Sequence, residues 1–453
     1  MRASPPLRAP LLGRLSAAAR KRAPELLLTA VFVALVTPVI VSGGAGTAGA
    51  VDERGFHLPT ALKIGYELPT PDLVNIPTAT TPGYHLVLSV FARLLTPERA
   101  ALEAFGATFS LAMVLVAFWL MCRYVDRWLA LALTLPILLS HYVLQSAAWI
   151  NTDNAAMLFI LLAIGLSLRL QESGRGFATG GAFVFLAIWV RQLALWVAGP
   201  FAFAAALAGG LIPGFAPAAG GRRSLRPVVL AGAALIPALA SLAALFAAWG
   251  QTTPPTVQQG GFSPAAAPFT LGLVGIFGAF FAVPVVDRSD LLRGRAPRVA
   301  AAAALAFALA VPTSESAELE GRRTGGGLWK LVDLGPVVAD RSLVIAVLAP
   351  AGAVLLVALW RAAERAAMTR PALVLMVVLA SLVLAQTSTN RTYQRYFEPT
   401  VLAVLALLAA IVLAGRGGAA REGPARRRAL AAMAALSVLQ LAGCVTVVYS
   451  NAL

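Results

Sequence analysis

Cysteine, histidine and lysine are scarce in this chain of 453 residues, which holds two, three and three of them. Cys122 is expected to end a span at one membrane face and Cys444 to lie in the outer part of another. A membrane thickness between them excludes a disulfide, and two cysteines cannot build a metal cluster. Charge is also scarce: 12% of residues are charged and 59% hydrophobic, with a mean hydropathy of +0.80, which excludes an ordinary water-soluble domain. No internal repeat stands out, so nothing suggests the inverted halves of a transporter. The few lysines stand beside many arginines, alanines, glycines and prolines. That bias points to a GC-rich bacterial genome, hence to a plasma membrane with an extracytoplasmic outside.

What is present is a series of apolar windows long enough for a hydrocarbon core of about 30 Å. They predict an all-α, polytopic transmembrane helix bundle with thirteen spans, near 25–43, 102–122, 128–147, 154–170, 177–190, 193–211, 227–249, 269–286, 297–312, 342–360, 371–388, 399–415 and 428–449. Residues 1–24 form a basic cytoplasmic tail, and 25–453 a single membrane domain. The apolar run before Ala48-Gly49-Ala50 resembles a signal peptide but is long for one, so it is expected to remain as a span. With the tail inside, the tail and the inner loops together hold 25 of the 36 basic residues, whereas 13 of the 20 acidic ones fall outside. The net charge of +16 is therefore a topology signal; it is not a nucleic-acid footprint.

The long polar loops all lie on the outer side: 44–101, 251–268, 313–341 and 387–399, with shorter turns at 145–154 and at Arg191-Gln192. In the first of them Asp52-Glu53, Phe56-His57, Pro59 and Ala61 are followed by Pro77-Thr78-Ala79-Thr80-Thr81-Pro82-Gly83-Tyr84. This resembles the first external loop of the dolichyl-phosphate-glucose-dependent α-1,2-glucosyltransferases of lipid-linked oligosaccharide assembly, D-E-x-F-H-x-P-x-A and then D-P-x-I-T-T-x-P-G-x-Y. Arg191-Gln192 with Trp196 resembles the R-Q…W of that family, and Arg395-Tyr396-Phe397 its R-Y-F. Three departures stand out: Arg54-Gly55 occupy the place of one residue between D-E and F-H, the aspartate before the T-T run is absent, and Trp196 stands one position early.

The resemblance implies the GT-C superfamily fold and transfer of a sugar, glucose by analogy, from a polyprenyl-phosphate donor to a glycan acceptor, with inversion. Such transfer needs a base for the acceptor hydroxyl and cations for the departing phosphate. Asp52 and Glu53 are the candidate bases, and the extra residue leaves the choice between them open. Arg191, Arg391 and Arg395, at outer helix ends, are candidate phosphate ligands, because a guanidinium binds phosphate through paired charge-assisted bonds. His57 joins them. Thr80, Thr81, Tyr84, His85, Gln192 and Tyr396 are candidate substrate contacts. Asp153, at the start of a span, reads as a helix cap. The acids and histidines are too loosely spaced to define a metal site, although a divalent cation is compatible with them. A polysaccharide polymerase or ligase and a lipid-linked glycan transporter are the alternatives. The former concentrates its chemistry in a late loop, and the latter needs mid-membrane charges, which the spans lack.

Overall fold

The computed structural model describes residues 9–44, 48–218, 222–257, 261–313, 318–319, 322–323, 325–389, 392–417 and 423–449. Along the chain these form α1 (Ala9–Ser42), α2 (Ala48–Asp52), a π-helical turn (Glu53–His57), α3 (Leu58–Glu67), α4 (Gly83–Leu94), α5 (Arg99–Cys122), α6 (Arg127–Leu138), α7 (His141–Ala148), α8 (Asp153–Ser173) and α9 (Phe177–Val190). A 3-10 segment (Gln192–Val197) leads into α10 (Ala198–Ala208), α11 (Arg226–Trp249), α12 (Ala266–Ala282), α13 (Arg288–Leu292), α14 (Arg295–Ala310), α15 (Gly327–Leu334), α16 (Leu343–Arg365) and α17 (Thr369–Gln386). A second 3-10 turn (Gln394–Tyr396), α18 (Glu398–Gly415) and α19 (Pro424–Cys444), which continues into a π turn (Val445–Tyr449), complete the order. Among the described residues strand is confined to two antiparallel two-residue ladders, Glu318–Leu319 with Arg322–Arg323 and Val337–Val338 with Arg341–Ser342.

The chain is thus an all-helical, multi-pass membrane protein. Among the described residues, eight helices are long and apolar enough to cross a bilayer: the Arg22–Ser42 part of α1, then α5, α8, α11, α16, α17, α18 and Pro424–Tyr449. The other five expected spans fall on shorter or broken helices. Four of these, 177–190, 193–211, 269–286 and 297–312, map to α9, the Gln192–Ala208 unit, α12 and α14. The window 128–147 is no straight rod, because α6 and α7 meet at a 73° bend at Leu139-Ser140. Pro136 weakens the last turn of α6, and Ser140 takes an extended ψ of 126° and turns its hydroxyl to Glu398. The segment expected to form the first external loop is also less loop-like than its prolines suggest. From Ala48 to Glu67 α2, the π turn and α3 follow one another, with right-handed helical backbone at both junctions.

α18 lies at the centre, with 89% of its apolar window buried within the bundle, whereas α1 and α11 bury 22% of theirs and form the rim. Contact in a membrane depends on close backbone approach, because lipid solvates leucine as well as protein does. The α12–α16 pair shows this. Gly272, Gly275 and Gly278 line one stripe of α12, and a Cβ at Gly352 of α16 would run into the Leu271 carbonyl oxygen. Gly352→Ala should therefore separate the two helices and lower stability by about 1–3 kcal/mol. A thermal midpoint in detergent equal to that of the unaltered protein would show that the crossing tolerates the methyl group.

Candidate active site

The ends of α2, α9, α11 and α17, together with the starts of α8 and α18, converge on one cavity of about 830 Å³. Two polar clamps assemble it. Thr81 donates its hydroxyl to the Ile188 carbonyl at 2.6 Å, and a Cβ on Gly83 would fall 2.5 Å from the Trp189 carbonyl oxygen, so the Thr-Thr-Pro-Gly run plugs the last turn of α9. Gln192 then grips the same run from the other side, its Nε2 donating to the Ala79 carbonyl at 2.6 Å and its Oε1 accepting from the Thr81 N–H at 3.2 Å. Arg191 is held between these contacts. Its isolation in an apolar stretch is explained by what it meets in the cavity.

That partner is Asp153, whose carboxylate forms an ion pair with Arg191. The second oxygen of Asp153 lies 3.9 Å from Arg395 Nε, and Arg395 in turn pairs with Asp52. Tyr396 completes the group: Arg191 and Arg395 stand 4.2 and 5.0 Å from its ring centroid, and Arg395 Nη2 donates to its hydroxyl at 3.1 Å. Two arginines and two aspartates, from positions 52, 153, 191 and 395, thus share one half-buried cluster. Sequence reasoning assigned Asp153 to a cap because its partners lie 38 and 242 positions away. The available signal was an acid opening an apolar helix in a chain where Arg191, also set in an apolar stretch, has no acid near it in sequence.

The π turn separates Asp52 from Glu53. Asp52 and His57 line the cavity, whereas Glu53 is fully buried behind it, 2.5 Å from Arg99 Nε and accepting from the Ile150 N–H at 3.0 Å. A π turn admits one residue more than an α turn over the same rise, and Arg54-Gly55 supply the residue by which this loop exceeds the family pattern. The wider winding turns the two acids to different surroundings.

Of the other candidates, Thr80, Arg191, Gln192, Arg395 and Tyr396 line the cavity. Thr81, Tyr84 and His85 are buried beneath its wall, and Arg391 lies outside the described residues. Its lining mixes uncharged polar side chains, among them Thr78, Thr80, Asn151, Thr152, Thr252 and Thr253, with apolar ones, among them Leu195, Trp196, Phe246 and Leu384. No group of three or more His, Cys, Asp or Glu among the described residues could hold a metal ion. Asp52 and Asp153 are each occupied by a guanidinium, which a divalent cation would have to displace.

No family model matches this chain, and no curated protein does. Among solved structures, ArnT from Cupriavidus metallidurans bound to undecaprenyl phosphate superposes with a TM-score of 0.46 at 14% identity, over 86% of this chain and 59% of that one. The apo state of ArnT gives 0.45 at 15% identity, over 85% and 59%. The apo oligosaccharyltransferase of Archaeoglobus fulgidus gives 0.46 at 12% identity, over 92% and 56%, so the chain spans less than two thirds of the length of each.

His57 Nδ1 and His85 Nε2 share a hydrogen bond of 3.0 Å. Burial, reinforced by the positive charges of Arg395 and Arg191, pushes His57 from 6.5 down to about 3, and burial followed by His57 itself holds His85 well below its ordinary range. Both rings are therefore neutral at physiological pH. Below the unfolded value of 6.5 the unfolded chain binds protons that the folded one refuses, so stability falls as pH drops from about 6.5 towards 3. The slope approaches about 1.4 kcal/mol per pH unit for each ring. Between pH 7 and 5 the thermal midpoint should fall further for the unaltered protein than for His57→Gln. Equal falls would mean that the ring is not held neutral.

Proposed function

We propose that the chain is a GT-C type glycosyltransferase of the bacterial plasma membrane. It transfers a hexose, glucose by the resemblance of its loops, from a polyprenyl-phosphate sugar to a hydroxyl of a lipid-linked or cell-envelope glycan on the extracytoplasmic face. The observation that carries this reading is the cavity itself: two carboxylates and two arginines line it together with apolar side chains and uncharged hydroxyl-bearing ones. The apolar lining suits the prenyl chain, the arginines suit the phosphate, and the threonines with Asn151 suit the hydroxyls of a neutral sugar.

In the proposed reaction the acceptor oxygen attacks the anomeric carbon as the bond to the donor phosphate oxygen breaks, which inverts that centre. The hydroxyl proton passes to Asp52. The bond electrons leave with the polyprenyl phosphate, whose charge Arg191 and Arg395 stabilise. Arg395 also orients Asp52 through their ion pair. Glu53, turned into the protein, holds the π turn to α5 through Arg99, and so supports the base.

Membranes containing the protein should consume one of a panel of radiolabelled polyprenyl-phosphate sugars. General-base help is worth about 10² to 10⁴-fold, so Asp52→Asn should lower turnover by that factor with donor binding nearly unchanged. Glu53→Gln should reduce the yield of folded protein. Full turnover by Asp52→Asn would remove that residue as the base, and no transfer from any donor in the panel would overturn the reading as a whole.

A further inference from the structure

Glu398 opens α18 and is 1% exposed, yet no Lys or Arg pairs with it among the described residues. The first turn of an 18-residue helix favours its charge, and three neutral donors converge on the carboxylate. Ser140 Oγ, from the bend between α6 and α7, donates to Oε1 at 2.7 Å; Gln440 Nε2 of α19 reaches the same oxygen at 3.2 Å; Gln394 Nε2 donates to Oε2 at 2.6 Å. Gln394 is itself fully engaged. Its Oε1 accepts from the Leu328 N–H at 2.7 Å, and its backbone N–H donates to the Gly325 carbonyl at 2.7 Å. Between those two partners, Gly326 has a φ of +132°, and a Cβ there would strike the Tyr142 hydroxyl.

The Leu328 N–H can only donate, and the carboxylate here can only accept. The amide of Gln394 therefore has one allowed orientation, and Gln394 begins the turn that carries Arg395 and Tyr396 into the cavity. We propose that Glu398 is a positioning residue for the active site: through Gln394 it fixes the Gln394–Tyr396 turn and latches α15 against it, so that Arg395 meets Asp52 and the donor phosphate. The phosphate part of this inference rests on the functional reading above, whereas the latch does not.

Exchanging the two side chains tests it. Glu398→Gln alone turns an amide N–H towards one of three donors, and Gln394→Glu alone sets two carboxylates against each other. In the double variant the amide at 398 donates to the carboxylate at 394, which still accepts from Leu328 N–H, and every bond is restored. A hydrogen bond to a charged group is worth about 1.5–3 kcal/mol, so each single variant should raise the donor KM by about ten- to a hundredfold, with a smaller effect on kcat. Each should also speed hydrogen exchange of the amides at 325–330 and 394–398. The double variant should return both readouts to within about threefold of the unaltered protein.

A double variant no better than either single one overturns the proposal. So does faster exchange in the single variants with an unchanged donor KM. If the unaltered protein consumes no polyprenyl-phosphate sugar, the functional reading fails. The exchange rates then decide the latch by themselves: recovery in the double variant supports it, and no recovery overturns it.

Discussion

Everything in the site depends on pairing two arginines with two aspartates where water is scarce. Desolvating a guanidinium or a carboxylate costs several kcal/mol, and removal of one partner strands the other. Asp52 and Asp153 answer Arg395 and Arg191 one for one, so the cavity has no net charge from these four groups. The quartet thereby ties the α2 end, the α8 start, the α9 end and the turn before α18 into one unit. Tyr396 offers its ring to both cations.

Three of these four residues stand where regular helix gives way, and the fourth, Asp153, opens α8. Asp52 precedes a π turn, Arg191 stands between α9 and a 3-10 segment, and Arg395 lies within another 3-10 turn. Long helices such as α5, α8, α16 and α18 supply the frame. A broken helix frees backbone groups and redirects side chains, and each break here is closed by a side-chain bond: Glu53 to Ile150 N–H, Thr81 to the Ile188 carbonyl, and Ser140 to Glu398.

Hydropathy made the helices legible, because burial in lipid is a property of composition over some twenty residues. It could not show that 128–147 bends: Pro136 weakens α6 there, but the partner that receives the Ser140 hydroxyl at the bend, Glu398, is distant in sequence. Motif reading located the loops that meet at the cavity, since their residue types are scarce elsewhere in an apolar chain. Direction was less accessible. Thr81, Tyr84 and His85 have the chemistry of ligand contacts but point beneath the wall, and only three-dimensional packing distinguishes them from Thr80. Asp52 and Glu53 were inseparable in sequence because their difference arises from a single extra residue absorbed as a π turn. Asp153 looked like a cap because its ion partners lie on other helices.

The central claim is that the quartet receives a lipid phosphate. Equilibrium binding of a polyprenyl phosphate without sugar, measured on purified protein in detergent, tests it most directly. In a variant combining Arg191→Gln with Asp153→Asn, no charge is left stranded and the cluster keeps its neutrality. Loss of one charge-assisted phosphate contact predicts affinity lower by about ten- to a hundredfold. Undiminished affinity in that variant, with the fold intact, would contradict the account.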